Sequence, residues 1–182
     1  NQASFRRGFD GWMYATHGFN NDSRVAGRDG HTIRMQSGNT YRVRLDGSRI
    51  EGFSWGQVNP FGMAWDPEGN LYSSDCHSEP IYMLLPGAYY PSFGKPHDGL
   101  GFAPSMMERI RGSTAIDGVS YSAEGLWPEE YRDSLFIGDV MTSRVYRDKA
   151  VPRGSARVAR PEPDFVISRD PCFRPVDTTF GP

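Results

Sequence analysis

One short pattern occurs three times along the 182 residues of this chain. Each copy places an aliphatic residue before an aromatic one, followed by two small or neutral residues and then a polar one. The copies are Met13–His17, Leu71–Asp75 and Leu135–Asp139. Their aromatic residues are 58 and 64 positions apart, an interval that suits a four-stranded blade of a β-propeller with long loops. The repeat therefore predicts that the fold is built from a few similar β units.

The residues around each copy favour strands joined by turns. Asp10-Gly11 and Pro67–Asn70 precede the first two copies as turn formers, whereas "PEEYRD" precedes the third. After the copies come "NTYRVRLDG", "EPIYMLLPG" and "SRVYRDKAV", which are rich in β-branched and aromatic residues. No long stretch keeps a helical period, and only "PSMMERIRG" suggests a short turn of helix. We predict an all-β fold.

The terminal stretch "FRPVDTTFGP" resembles the residues that precede the earlier hairpin turns. We therefore expect repeats near residues 8–46, 62–86 and 129–148, with a fourth beginning at 173–182. About three blades do not close a ring, so the prediction is a partial β-propeller whose first and last strands are unpaired. The alternative is a complete β domain of three hairpins whose end resembles its start by chance.

Charge and composition exclude several function classes. The formal net charge is -2 and the arginines are spread along the chain, so no basic surface for nucleic acid is indicated. No apolar run is long enough to cross a membrane. Cys76 and Cys172 could form a disulfide or remain two free thiols, and no C-x-x-C-H haem attachment motif occurs.

Repeat-equivalent positions meet near the axis of a propeller, because each inner strand ends on the same face of the ring. His17, Asp75 and Asp139 occupy that position in the three copies, and His77 follows closely. A histidine beside carboxylates suits proton abstraction from an alcohol or metal binding, so His17, Asp75 and His77 are candidate catalytic residues. The alternative is that the aspartates brace their own turns.

Two long segments follow the inner strands. Residues 18–39 are polar and Gly-rich, whereas residues 86–113 carry several aromatic side chains. Irregular loops of this length are often lids or binding loops. The aromatic segment could cover a planar ligand or pack over its own blade.

The stretch "GQVNPFGMAWDPEGNLYSSDCHSEPIYML" resembles a segment of the soluble quinoprotein sugar dehydrogenases. "GFDGWMYATHGFNN", "GNTYRVRLDGS" and "FRPVDTTFGP" are similar to bacterial membrane-bound dehydrogenases of the sorbosone-dehydrogenase-like type. The resemblance implies a six-bladed propeller that uses pyrroloquinoline quinone (PQQ) and calcium to oxidise a sugar or polyol. It further implies a periplasmic or otherwise extracytoplasmic location and a cytochrome c domain elsewhere in the parent chain.

The resemblance also suggests which residues contact the cofactor. Asn59 and Pro60 match the family's Asn-Pro, but Val58 stands where the family has an Arg that contacts the quinone. The family's catalytic histidine aligns upstream of residue 1, and the position of its acidic partner falls near Phe19, which is not acidic.

For calcium, the resemblance implies the loop from Asp75 to Glu79, which corresponds to the segment that holds the ion through backbone carbonyls. Asp75 and Glu79 are thus candidate metal ligands. Asp75 is also a candidate cofactor contact, as is Asp139.

Three functions remain open from the sequence. The first is part of a PQQ-dependent sugar or polyol dehydrogenase. The second is a non-catalytic propeller that binds carbohydrate or protein, which Val58 and Phe19 favour. The third is a calcium-dependent lactonase-like hydrolase, in which Asp75 and Asp139 would be metal ligands.

Overall fold

The structure is a computed structural model that describes residues 2–92, 101–111, 115–123, 125 and 127–181. Within these ranges the chain is all-β, as predicted, and its one helical element is a single 3-10 turn at Glu129–Tyr131. The strands are β1 (Gln2–Arg7), β2 (Trp12–His17), β3 (Asp22–Ala26), β4 (Thr32–Gln36), β5 (Asn39–Arg44), β6 (Ile50–Trp55), β7 (Pro60–Trp65), β8 (Leu71–Asp75), β9 (Ile81–Leu84), β10 (Ile116–Ser122), β11 (Ser134–Asp139), β12 (Arg144–Arg153), β13 (Ala156–Pro161) and β14 (Val166–Ile167).

The chain divides into two compact units, and the first contains residues 1–61 and 84–104. Its main sheet has the antiparallel order β1-β2-β5-β6. Strand β2, which contains the first copy of the repeat, lies between β1 and β5 and pairs with β5 from Trp12 opposite Arg44 to His17 opposite Asn39. Because both of its edges are occupied, β2 is almost entirely buried.

Asp-Gly pairs form the tight turns of this unit. At the first turn Gly8 N–H donates to Trp12 O at 2.8 Å, and the Asp10 carboxylate accepts the Trp12 N–H at 3.1 Å. Gly11 adopts φ +79°, a left-handed conformation that other residues rarely enter. The same pattern recurs at Asp29-Gly30 and Asp46-Gly47.

The segment expected to be an irregular loop, residues 18–39, instead contains the hairpin β3–β4. In β4 the alternate residues Ile33 and Met35 are apolar, and they pack against the sheet with Ala15, Tyr41 and Ile50. The loop interpretation was wrong because a half-buried strand needs only alternate apolar residues, which leaves the segment polar on average.

A further segment covers the edge of the first sheet. Trp55 N–H donates to Ala88 O, and Tyr90 N–H donates to Trp55 O, both at 2.9 Å. The rings of Trp55 and Tyr89 stack with centroids 5.7 Å apart. Residues 87–90, part of the predicted aromatic loop, therefore protect the edge strand β6.

The second unit contains residues 62–83 and 105–182. Its larger sheet has the order β10-β11-β12-β13, with β14 paired to β12, and its smaller sheet has the order β7-β8-β9. The second and third copies of the repeat lie in β8 and β11. Each is flanked by two strands, as β2 is in the first unit, and every residue of β8 and β11 is buried. Thus all three copies occupy equivalent strands.

Two sequence expectations about the ends of these sheets were wrong. The first and last strands are paired, since β1 pairs with β2 and β14 pairs with β12.

The described part of "PSMMERIRG" is not helical, because Ala159 N–H donates to Met106 O at 2.8 Å and Glu108 N–H donates to Ala159 O at 3.1 Å. This segment instead runs along β13 and adds Met106 and Met107 to the core.

Neither cysteine forms a disulfide. Cys76 is half-buried and Cys172 is exposed, and both are reduced thiols. Of the two alternatives that the sequence left open, the structure therefore adopts the one with two thiols.

Candidate functional site

The loop from Asp75 to Glu79 joins β8 to β9 in the second unit and holds three of the predicted site residues. Asp75 is fully buried at the end of β8, and its carboxylate accepts the His77 N–H at 3.0 Å. Glu79 accepts a hydrogen bond from the Ser105 hydroxyl at 2.5 Å. The loop thus brings Asp75, His77 and Glu79 together by local chain geometry, and Ser105 joins them from a distant segment.

Burial, opposed in part by the Ser105 hydrogen bond, raises the pKa of Glu79, and the charge of Asp75 raises it further. A repulsion between two carboxyl groups of this kind is relieved by a proton or by a cation. The loop therefore offers hard oxygen donors in a region of negative potential, which is the chemistry that calcium prefers.

We expect Ser105→Ala to raise the pKa of Glu79 further, because the lost hydroxyl donor stabilises the ionised carboxylate. Asp75→Asn should lower it, because a like charge is removed. Carboxyl carbon chemical shifts followed by NMR across the acid range would report both changes. A downward shift in Ser105→Ala would contradict this account of the contact.

Asp139 ends β11 and is also fully buried. One carboxylate oxygen accepts N–H groups of Met141 at 3.0 Å and Thr142 at 3.1 Å, and the other accepts the Tyr146 hydroxyl at 2.8 Å. These bonds brace the β11–β12 turn, which supports the structural alternative for this residue.

Two further acids near Asp139 have no counterpart in the repeat and were not predicted. Burial raises the pKa of Asp117, and the charges of Asp139 and Asp177 add to the effect. Asp117 pairs in register with Gly138, and the backbone of Asp177 lies against Gly118. Since these residues meet only through strand pairing and packing, no local sequence pattern could have identified them.

His17 lies in the first unit, where it is fully buried. Its Nδ1 is 2.6 Å from Ser37 O, and its Nε2 is 2.9 Å from Ser23 Oγ. A carbonyl only accepts, so Nδ1 carries a proton and donates to Ser37 O, while Nε2 and the Ser23 hydroxyl share the second hydrogen bond. With both ring nitrogens bonded, His17 joins β2 to the β3–β4 hairpin, and this arrangement supports a structural role.

Asn59 and Pro60 also belong to the first unit. The side-chain oxygen of Asn59 accepts the Phe19 N–H at 2.8 Å, so the predicted cofactor contact holds the backbone that follows β2. Pro60 is buried at the start of β7, and Val58 is only 2% exposed. The Phe19 side chain is exposed, whereas its backbone N–H is bound by Asn59.

Within the described part of the chain, no group of three or more His, Cys, Asp or Glu side chains could hold a metal ion. An ion at the 75–79 loop would thus need main-chain carbonyls or water in addition to carboxylates. Nor do the described residues include a helix long and apolar enough to span a membrane.

Several solved structures with a similar fold are described as sugar dehydrogenases. One, described as an oxidoreductase (glucose dehydrogenase) from Thermus thermophilus, has a TM-score of 0.68 and 19% identity over 98% of this chain and 55% of that one. The PQQ-bound aldose sugar dehydrogenase of Streptomyces coelicolor has a TM-score of 0.66 and 20% identity over 97% of this chain and 52% of that one. The apo-form soluble aldose sugar dehydrogenase of Escherichia coli has a TM-score of 0.54 and 20% identity, covering 91% and 55%.

The chain thus spans about half the length of these structures. At this level of identity the likeness concerns the fold, and it agrees with the predicted partial β-propeller. No curated protein matches the sequence. The family described as DUF7133, a domain of unknown function, matches residues 1–182. Because that match covers the whole sequence, the chain belongs to the DUF7133 family.

Proposed function

We propose that this chain forms part of a β-propeller dehydrogenase that oxidises a sugar or polyol with PQQ and calcium. The observation that carries the proposal is the likeness of nearly the whole chain to a PQQ-bound aldose sugar dehydrogenase. In this proposal bound PQQ would supply the hydride acceptor for oxidation of the substrate alcohol. A location outside the cytoplasm and a cytochrome c domain in the parent chain belong to the same proposal.

The chemistry of the 75–79 loop fits calcium. Asp75 and Glu79 supply carboxylate oxygens. Burial raises the pKa of Glu79, and the Asp75 charge adds a repulsion that a cation would relieve. The loop backbone adds carbonyl oxygens, which also serve as calcium ligands. We therefore propose that calcium binds at the 75–79 loop.

The region of Asn59 fits an anionic quinone less well. Val58 cannot make a charge-assisted contact, and its side chain is buried. Loss of one such contact costs on the order of 1.5–3 kcal/mol, which corresponds to roughly ten- to a hundred-fold in affinity. We therefore propose weak PQQ binding, with Asn59 and Pro60 at its contact surface.

A second candidate function is a propeller that binds carbohydrate or protein without catalysis. The bonding of His17 favours it, because a histidine whose ring nitrogens are both engaged inside the protein is poorly placed to act as a base. The exposed side chain of Phe19, at the position where the sequence resemblance implies an acid, agrees with this alternative.

The test is titration of the full protein with PQQ, with and without calcium. We expect weak binding that requires calcium and that Asp75→Ala lowers further, because the variant removes a carboxylate from the ion site. Asp46→Ala is the matched control, since this exposed aspartate lies in a turn of the first unit. Binding that is unaffected by calcium would contradict the ion assignment, and no binding by folded protein in either condition would favour the second candidate.

A further inference from the structure

The outer face of the β3–β4 hairpin carries two arginines side by side. Arg24 and Arg34 are paired directly across the strands, so their side chains leave the same face about 5 Å apart at Cβ. Both residues are exposed. Ser23 bonds to the buried His17 on the opposite face, and alternation along the strand therefore directs Arg24 to solvent.

Neither arginine of this pair has a direct partner among the described residues. No ion pair or side-chain hydrogen bond engages either guanidinium there. The nearest acid on the same face of the strands, Asp22, lies opposite Gln36, two positions along from the Arg24–Arg34 pair. By contrast, Arg28 in the hairpin turn contacts the Asp46 carboxylate at 3.6 Å. Like charges placed directly opposite each other destabilise a hairpin.

The β3–β4 hairpin that carries the arginines is held in place by hydrogen bonds and by packing on its inner face. His17 bonds to Ser37 and Ser23 at the base of the hairpin, and the Asn39 side chain donates to Gln36 O at 2.9 Å and Ser37 O at 2.8 Å. Met35 is buried in the core of the unit on the inner face. A rigid support of this kind holds two binding groups at a constant separation.

We propose that Arg24 and Arg34 form a binding site for an oxyanion, either a carboxylate or a phosphate group. A guanidinium presents its N–H donors in a planar fork that matches the paired oxygens of both groups. An anion placed between the arginines also removes their mutual repulsion. This inference stands on the first unit alone and does not depend on the proposed dehydrogenase function.

The experiment is an NMR titration of the full protein in low salt, with acetate as the carboxylate probe and inorganic phosphate as the second probe. We expect saturable shifts of the Arg24 and Arg34 side-chain N–H signals, and the probe with the lower Kd identifies the preferred source of the oxyanion. Arg24→Gln and Arg34→Gln should each weaken binding by about tenfold or more. Arg24→Lys should also weaken it, because a lysine lacks the fork.

Arg28→Gln is the matched control, since it removes the same charge from the same hairpin and should leave the affinity unchanged. Equal weakening in this control, or an absence of saturable shifts with both probes, would overturn the proposal, as would full affinity in Arg24→Lys. Thermal melts provide a second measurement. Each glutamine variant should melt at or above the wild-type temperature because repulsion is removed, and a clear destabilisation in both would overturn the premise that the two charges repel.

Discussion

Asp66→Ala is expected to lower the free energy of unfolding by about 3–5 kcal/mol, because it leaves the buried Tyr72 hydroxyl and the Asn70 N–H without their acceptor and removes the buried one of two carboxylates that contact Arg157. Asp66 is fully buried. Its carboxylate accepts the Asn70 N–H at 2.8 Å and the Tyr72 hydroxyl at 2.8 Å, and it lies 3.3 Å from the guanidinium of Arg157. Equilibrium unfolding in urea would measure the change.

Glu68→Ala provides the control for this prediction. Glu68 contacts the same guanidinium at 3.1 Å, but its side chain is 60% exposed. An exposed ion pair contributes at most about 1 kcal/mol, so the control should lose far less stability than Asp66→Ala. Similar losses in the two variants would mean that the buried hydrogen bonds of Asp66 contribute no more to stability than the exposed ion pair of Glu68.

Gly56→Ala is expected to cost about 4 kcal/mol and to release the segment that covers the edge of the first sheet. Gly56 has φ +85°, and a Cβ there would lie 1.8 Å from the carbonyl oxygen of Tyr90. The left-handed conformation costs about 1–3 kcal/mol for a residue with a side chain. The rest of the cost comes from hydrogen bonds lost when residues 87–90 move away.

Hydrogen exchange followed by NMR separates these two contributions. The amides of Trp55 and Tyr90 are bonded to Ala88 O and Trp55 O, and both should lose protection in Gly56→Ala. Gly30→Ala is the matched control, because Gly30 has φ +83° with nothing within 4 Å of its Cβ position. It should lose only the roughly 1–3 kcal/mol of the left-handed conformation and keep the protection at Trp55 and Tyr90. Retained protection in Gly56→Ala would refute the edge contact.

Much of the fold could be predicted from sequence because its signals are local. The strand pattern around Tyr14, Tyr72 and Phe136 predicts three equivalent strands, and β2, β8 and β11 occupy equivalent places in their sheets. The Asp-Gly pairs indicate tight turns because the carboxylate bonds to the backbone two residues later and glycine accepts positive φ.

The candidate site could be predicted only in part. Asp75 and Glu79 lie in one short loop, so their proximity follows from chain continuity. Ser105 contacts Glu79 from 26 residues away, and Asp117 and Asp177 approach Asp139 through strand pairing and packing. Nothing in the local sequence around these residues indicates such contacts.

By itself, the sequence determined the all-β class, the repeated strands and the turn chemistry, since these depend on alternation and on the conformations of neighbouring residues. Only the tertiary structure decided that residues 22–36 form a packed hairpin, that residues 87–90 cover a sheet edge, and that His17 supports the hairpin. Each of these outcomes depends on hydrogen bonds or burial between segments distant in the chain, and such contacts form only when the sheets pack.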